Sequence, residues 1–428
     1  MKKTAFTLLT ITIFAILLLL SSCATAKDSA FGGDGYTSGA AGAPEMDSEP
    51  SDDGASTGDN SVKLPAGMMT AGAWNDNTFY NDWLKLFLQG ESKNGKFYDY
   101  TAGALSWGYN SQRRVSVTVM NGEDPVAGAN VTAYDGEGKA LFSAVTDAQG
   151  KAYLFPTVND GTISVTNGKA TVFCDFTEQE RDVAVQISTA QNKLNVIEIM
   201  LVVDVTGSMS DEIEFLKAEL ADVIDRISAN DSDTVIRLAM LFYRDTDDRV
   251  PFEYYDFADV TTVEGLAAQQ AALDTQSASG GGDYPEAVDQ ALDMAVNKQW
   301  STGATTKIIF HVLDAPAHDD KKNKELLTDS VEKAAELGIR ICPIICSGSS
   351  NDTEYTMREA AIYTGGTFIF VTDDSGIGSS HHDPELPNAT VELLNSLMVR
   401  LVNGYHTGEF DEPIYWKHDP NLATSNEN

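Results

Sequence analysis

The chain has 428 residues, of which 42% are hydrophobic. This length allows about two or three domains, each with a core of its own. Its 64 acidic residues outnumber 29 basic ones, so the formal net charge is −35. A surface this acidic repels phosphate backbones, which excludes nucleic acid as an expected partner, and the same field attracts cations.

The first 22 residues have the pattern of a secretory signal. Two lysines precede an apolar run from Ala5 to Leu20, which is shorter than a usual membrane span of about 20 residues. The ending Leu20-Ser21-Ser22-Cys23 resembles the lipobox of bacterial lipoproteins, where the cysteine becomes the lipidated first residue. The resemblance implies a signal peptide over 1–22 and a mature chain held by lipid on Cys23 at the cell membrane or outer membrane, facing the exterior or the periplasm. The alternative is an ordinary signal with a chance cysteine.

Two segments of different composition follow the signal. Residues 23–65 are small, polar and acidic, with too few apolar side chains to offset the entropy of ordering, and we expect a flexible tether. Residues 66–110 are rich in aromatic side chains, including Trp74, Phe79 and Trp83, and are predicted to be a partly helical segment that packs on a later domain.

The pattern changes to a period of two over residues 111–189. Apolar residues alternate with polar ones, as in Val115-Ser116-Val117-Thr118-Val119, and turn signals recur between the runs. This predicts a small antiparallel β-sandwich. The stretch P-V-A-G-A-N-V-T-A-Y and the later T-D-A-Q-G are similar to carboxypeptidase-regulatory-like, transthyretin-type modules. The resemblance implies a spacer or an accessory binding module without catalytic activity.

From residue 193 to residue 408, apolar runs alternate with amphipathic helical stretches, and a short tail, residues 409–428, follows. This alternation predicts an α/β fold with a doubly wound, mostly parallel sheet, so that the whole chain is multidomain. Ligands of such sheets bind at the carboxyl ends of the strands. We expect residues 193–408 to hold the complete sheet and to fold alone, with little stabilisation from the residues before them.

The first strand of this domain ends in the sequence Asp204-Val205-Thr206-Gly207-Ser208 and leads directly into a helix. One carboxylate and two hydroxyls on a tight loop are ligands that suit a small hard cation. A helix cap by Ser208 or Ser210 would account for one of these oxygens only. The spacing D-x-T-x-S resembles the metal-ion-dependent adhesion site of von Willebrand factor type A and integrin inserted domains, whose motif is D-x-S-x-S.

That resemblance implies two further ligands. Asp314, at the end of the strand K-I-I-F-H-V-L, matches the aspartate that the family places after a later strand. In the second loop, S-A-S-G-G-G-D-Y-P-E-A-V, Asp283 stands where the family has threonine. Two interpretations of Asp283 stay open. It approaches the metal, directly or through water, or it only caps a helix over Glu286–Val296.

The resemblance therefore implies a metal site made of five residues, with Mg²⁺ preferred over Ca²⁺ or Mn²⁺: Asp204, Thr206, Ser208, Asp283 and Asp314. His318 and Glu286 are expected to contact these ligands and hold them in place, without binding the metal themselves. Three carboxylates facing a divalent ion leave the assembly at −1, which should hold the metal firmly and disfavour an acidic partner. His381 and His382 lie in a polar insertion, where a surface loop is the simpler interpretation of them.

These features favour a surface lipoprotein that binds a protein or glycan through its metal site and touches the membrane only through its lipid. The alternatives are an envelope-assembly component and, less favoured, a metal-dependent hydrolase. No serine or cysteine nucleophile stands beside a histidine in a recognisable context, so we expect no catalytic residues and no enzyme activity.

The anchor can be tested with Cys23→Ser. The wild-type chain should begin at Cys23 and partition into detergent, because its acyl chains bury apolar surface. The variant should be released from the membrane fraction or keep its signal uncut, as measured by phase partitioning and intact mass. A variant that remains anchored and correctly cleaved would contradict the lipoprotein prediction.

Overall fold

The computed structural model describes residues 69–89, 91, 96–101, 106–188, 194–231, 233–303, 305–375 and 381–415. The signal peptide, Cys23, the tether and residues 416–428 of the tail, all predicted from sequence, lie outside this set. The described residues all belong to one compact unit, Ser61–Asn428. Within them, no helix has both the length and the apolar character needed to cross a membrane.

The largest element is an eight-stranded mixed sheet in the order β12-β11-β10-β13-β14-β15-β1-β16. Its strands are β1 (Thr70–Trp74), β10 (Val196–Asp204), β11 (Val235–Tyr243), β12 (Phe252–Asp259), β13 (Thr306–Leu313), β14 (Ile339–Ile345), β15 (Phe368–Val371) and β16 (Val391–Leu393). Five neighbouring strands, β11, β10, β13, β14 and β15, are mutually parallel, while β12 is antiparallel to β11. The predicted α/β fold with a mostly parallel core is confirmed.

Helices cover both faces of this sheet, which is why its central strands are continuous apolar runs. They are α3 (Ser210–Ser228), α4 (Val263–Asp274), α5 (Val288–Val296), α6 (Lys321–Leu337), α7 (Asn351–Thr364) and α8 (Leu394–Thr407). The buried apolar side chains therefore form two separate clusters. Successive residues of β10 alternate between the two clusters. The crossovers carry the chain repeatedly back to the same sheet edge, so the loops after β10 and β13 lie side by side.

Strand β1 corrects the sequence analysis. Residues 66–110 were expected to be partly helical and outside the sheet, and they do contain short helices α1 (Tyr80–Lys85) and α2 (Lys96–Asp99). However, β1 lies antiparallel between β15 and β16 and completes the sheet. A side chain at Gly72 would meet the Phe370 ring at 2.3 Å, so this close approach needs glycine. The prediction that residues 193–408 hold the whole sheet is wrong.

Residues 111–188 form two further four-stranded sheets. One contains β2 (Val115–Asn121), β3 (Asp124–Pro125), β6 (Lys151–Leu154) and β9 (Asp182–Gln186); the other contains β4 (Asn130–Tyr134), β5 (Ala140–Val145), β7 (Gly161–Asn167) and β8 (Ala170–Phe176). Alternate residues of β2 are buried, as the period of two predicted. The expectation of purely antiparallel pairing is wrong, because β9 runs parallel to β2. The buried residues of both sheets belong to the same cluster as those on one face of the large sheet.

A buried ionic cluster fastens the segment after β1 to helix α7. Arg358 is 1% exposed, and its Nε and Nη2 donate to the two carboxylate oxygens of Asp76 at 2.9 and 2.6 Å. Its Nη1 donates to Glu354 at 2.9 Å. The guanidinium also lies 4.9 Å from the Trp83 ring centroid. Because both hydrogen-bonding edges of Arg358 are used, the cluster fixes where the N-terminal segment joins the fold.

We predict that Asp76→Ala lowers the free energy of unfolding by about 3–5 kcal/mol, because it leaves the buried Arg358 guanidinium short of a counter-charge. Asp82→Ala is the matched control. Asp82 pairs with Lys85 on the exposed side of α1, so its loss should cost less than about 1 kcal/mol. Urea unfolding of the two variants measures both values. Equal small losses would show that the Arg358 cluster contributes no net stability.

Candidate functional site

The loop after β10 presents Asp204 with one carboxylate oxygen bonded and the other without a partner. Asp204 is fully buried. Its Oδ1 accepts hydrogen bonds from the Thr206 backbone N–H at 2.8 Å and the Thr206 hydroxyl at 2.7 Å, while Oδ2 has no hydrogen-bond partner. Burial raises the pKa of Asp204 to about 7, against the opposing effect of the two bonds from Thr206. The environment of Oδ2 therefore favours a proton or a cation.

Asp314 lies beside this loop because β13 is the parallel neighbour of β10. It directly follows β13 and is buried. Burial raises its pKa, although a hydrogen bond from the Ser208 side chain acts in the opposite direction. The charges of Asp204 and Asp314 also act on each other. The structure therefore brings together four of the predicted ligands: Asp204, Thr206, Ser208 and Asp314.

The glycine-rich second loop packs directly on the first. Gly207 donates its backbone N–H to the carbonyl of Gly280 at 3.3 Å. Gly280 and Gly281 have φ values of +83° and +79°, which favour glycine. A Cβ on Gly281 would lie 2.8 Å from Glu286 Oε1 and 3.3 Å from Thr206 Cβ. The absence of a side chain at Gly281 thus lets the Glu286 carboxylate approach the Asp204 loop.

Glu286 was expected only to support the metal ligands, but its carboxylate is itself buried at the site. It is 4% exposed, and its Oε2 has no hydrogen-bond partner. Burial raises its pKa to about 9, and the charges of Asp204, Asp245, Asp248 and Asp314 raise it further. Its backbone N–H donates to the Pro316 carbonyl at 3.0 Å, which ties the loop to the segment after Asp314. Glu286 is therefore a third desolvated carboxylate at this edge of the sheet.

Asp283 occupies a different position. Its side chain is exposed, and its charge helps to raise the pKa of His318. Helix α5 begins at Val288, and its N-cap residue, Ala287, makes no side-chain capping bond. The capping interpretation of Asp283 and the predicted helix start at Glu286 are both wrong. Metal ligation by Asp283, directly or through water, stays a prediction.

His318 is engaged with an acidic residue of the neighbouring loop. Its Nε2 lies 3.0 Å from Asp245 Oδ1. Burial opposes protonation of His318, but the hydrogen bond and charge of Asp245 outweigh it and raise the pKa. The raised pKa favours the protonated ring, whose charge compensates part of the local negative charge. The supporting role of His318 at a metal stays a prediction. His311, by contrast, is fully buried beneath the site, and burial lowers its pKa to about 3.

Two buried acids near the site were not predicted from the sequence. Glu212 has one carboxylate oxygen without a partner, and burial raises its pKa to about 7. It lies in the first turn of α3, and its nearness in sequence to Ser208 is the one signal that points to it. Asp289 is fully buried in the first turn of α5, neither of its carboxylate oxygens has a partner, and burial raises its pKa to about 6. No local pattern in the sequence distinguishes Asp289 from a surface acid.

The arrangement fits a cation only if hydroxyls take part. Within the described part of the chain, no three side chains of His, Cys, Asp or Glu converge closely enough to hold a metal by themselves. Asp204 Oδ2 and Glu286 Oε2 have no hydrogen-bond partner, and Thr206 and Ser208 supply hydroxyl groups on the loop that follows Asp204. Carboxylate, hydroxyl and water oxygens together are ligands that Mg²⁺ accepts. This donor set is compatible with a divalent cation that keeps several waters.

Comparison with known proteins supports the assignment of this half of the chain. The family model described as von Willebrand factor A domain matches residues 198–373, so the chain contains such a domain there. The alpha-protein kinase vwkA of Dictyostelium discoideum is 24% identical over 162 residues, which are 37% of this chain and 24% of the kinase. The aligned region thus spans about a quarter of that relative.

Three solved structures share local similarity with the chain. BatB, a conserved hypothetical protein from Bacteroides thetaiotaomicron, is 15% identical. The alignment covers 43% of this chain and 91% of BatB, with a TM-score of 0.29. The pilus adhesin SpaC from Lactobacillus rhamnosus GG is 11% identical. The alignment covers 58% of this chain and 33% of SpaC, with a TM-score of 0.33. Proximal thread matrix protein 1 from the mussel byssus is 14% identical. The alignment covers 41% of this chain and 42% of that protein, with a TM-score of 0.31.

We predict that the cation-free protein loses stability as pH rises from about 4 to about 7, the interval between the unfolded and folded pKa values of Asp204. Carboxyl groups whose pKa is raised by folding keep their protons after the unfolded chain has lost them, so the folded state weakens as pH climbs through this window. Asp204, shifted from 3.8 to about 7, should contribute on the order of a few kcal/mol. Urea unfolding in chelator at several pH values measures the slope.

Asp204→Asn should flatten this slope, since the amide does not titrate. Glu214→Gln is the control, because Glu214 is exposed on α3, and it should keep the wild-type slope. A slope unchanged by Asp204→Asn would show that the buried carboxylate is compensated in another way.

Proposed function

We propose that this chain is a lipid-anchored surface protein that binds a protein or glycan partner through a divalent cation held at the carboxyl edge of its von Willebrand factor A domain. One observation carries the proposal. Two buried carboxylate oxygens, Asp204 Oδ2 and Glu286 Oε2, belong to loops in contact through Gly281 and have no hydrogen-bond partner. The basic groups nearby, Arg244 and His318, bond elsewhere.

In this proposal Asp204, Thr206, Ser208 and Asp314 hold the ion, with Mg²⁺ preferred over Ca²⁺ or Mn²⁺. The third carboxylate is that of Glu286, which replaces Asp283 in the charge count. Three carboxylates and a divalent cation sum to −1. One extra charge at about 4 Å is worth up to about 4 kcal/mol at an effective dielectric of about 20. The site would hold its metal firmly and would favour a neutral or hydroxyl-rich partner over an acidic one.

The remaining parts of the chain would anchor this site to the membrane and hold it away from the membrane surface. A lipid on Cys23 would anchor it at the membrane, and residues 23–65 would give it reach. The β-sheets of residues 111–189, which resemble a transthyretin-type module in sequence, would act as a spacer or accessory module. The chain would be a binding protein without catalytic activity of its own.

Titration calorimetry with Mg²⁺ tests the metal site. Asp204→Ala should abolish measurable binding, because it removes the central carboxylate. Glu286→Gln should weaken binding by roughly 10–100-fold, and its volume and burial are preserved. Asp283→Asn is the matched variant on the same loop, and we expect it to change affinity less than Glu286→Gln. Affinity unchanged in Asp204→Ala would exclude a cation at this position.

The binding role is tested by capture of surface proteins and by glycan arrays, each with Mg²⁺ and with chelator. Binding should require Mg²⁺ and disappear in Asp204→Ala. Specific capture that survives chelator would contradict the role of the cation and favour envelope assembly through another surface. Turnover of a substrate with Mg²⁺, Mn²⁺ or Zn²⁺ that is lost in Asp204→Ala would overturn the non-enzymatic assignment.

A further inference from the structure

At the opposite end of the large sheet, a cavity of about 270 Å³ lies beneath the first residues of β13 and β14. Its walls come from several separate parts of the chain. Lys307 and Arg340 belong to β13 and β14, Trp300 and Ser301 precede β13, and Asp147 belongs to the turn between β5 and β6. At about 30 Å³ per water molecule, the volume corresponds to about nine waters. The cavity is therefore suited to a small molecule.

Arg340 is the unusual member of this cavity. The residue is 8% exposed, and its Nε is buried without a hydrogen-bond partner. Its nearest carboxylate oxygen, Asp147 Oδ2, is 3.9 Å from Nη2, beyond hydrogen-bonding distance. The guanidinium is instead positioned by the Tyr405 ring, whose centroid lies 5.0 Å away. A buried guanidinium left without acceptors is costly, and its fork geometry matches carboxylate and phosphate oxygens.

Asp147 supplies charge to Arg340 but is itself held by other bonds. Its Oδ1 accepts from the backbone N–H groups of Gln149 and Lys151 at 2.9 and 2.8 Å, which fixes the side chain within its turn. Lys307 adds a second buried cation to the cavity lining, and its Nζ uses one donor on the Leu337 carbonyl at 2.9 Å. Lys298 and the exposed Glu336 also line the cavity, so three cations face two carboxylates there. In a chain with a net charge of −35, this local excess of positive charge is unusual.

We propose that this cavity binds a small organic anion whose carboxylate or phosphate group is held by the Arg340 guanidinium. The aromatic ring of Tyr405 orients the guanidinium, and the remaining volume limits the ligand to about nine or ten non-hydrogen atoms. The site lies at the amino ends of the strands and uses none of the residues of the proposed cation site, so it does not depend on that function.

Calorimetric titration of the full chain with succinate and with inorganic phosphate tests the proposal, with sodium chloride at matched ionic strength as the blank. At least one probe should bind, and the probe that binds more tightly identifies the preferred group. Arg340→Met should weaken binding by about tenfold or more, because it removes charge-assisted hydrogen bonds. Arg340→Lys should weaken it less, and Arg226→Met should match the wild type, because Arg226 lies on α3 outside the cavity lining.

Asp147→Asn gives an independent test that does not require loss of Arg340. The amide keeps an oxygen for the turn bonds and removes the competing charge, so anion affinity should rise. Binding should be the same in Asp204→Ala and in chelator, which separates this site from the cation site. The proposal is overturned if neither probe binds the wild type, if Arg340→Met binds as tightly, or if Asp147→Asn leaves affinity equal or lower.

Discussion

A carboxylate buried at the end of a covered strand must be matched by a proton, a hydrogen-bond donor or a cation, because water cannot reach it. Only one carboxylate oxygen of Asp204, Oδ1, accepts hydrogen bonds, and Oδ2 has no partner. The parallel arrangement of β10 and β13 then adds Asp314, and the glycines of the second loop allow Glu286 to approach. Each added acid raises the pKa of its neighbours, so the organisation of this edge depends on what neutralises Asp204.

The parts of the fold that local pattern specifies could be predicted, and the parts that depend on distant pairing could not. The central strands are long apolar runs, and D-x-T-x-S places its oxygens within one turn of chain, so both were identified from sequence. Strand β1 is only five residues, T-A-G-A-W, with mostly small side chains and no clear alternation. Its identity as a strand depends on β15 and β16. Likewise, only the packing of Gly281 on Thr206 distinguishes Glu286 from the exposed Asp283.

Opposite charges occupy the two ends of the parallel strands. The carboxyl ends carry Asp204 and Asp314, whereas the amino ends carry Lys307 and Arg340. Strands β13 and β14 have eight and seven residues, which separates the two ends by about 25 Å. At an effective dielectric of about 20, two unit charges this far apart interact by less than about 1 kcal/mol. A cation at one end and an anion at the other would therefore bind with little direct electrostatic influence on each other.

The position of β1 has a consequence for how the protein is made. Thr70 and Thr372 are hydrogen-bonded across β1 and the end of β15 although 302 residues separate them. A strand synthesised early must therefore wait, unpaired, until nearly all of the chain has followed, and closing so long a loop is slow. Until β15 has been made, β1 is an unpaired strand with which a strand from another molecule could pair. During biogenesis, this strand is where protection by a chaperone would matter most.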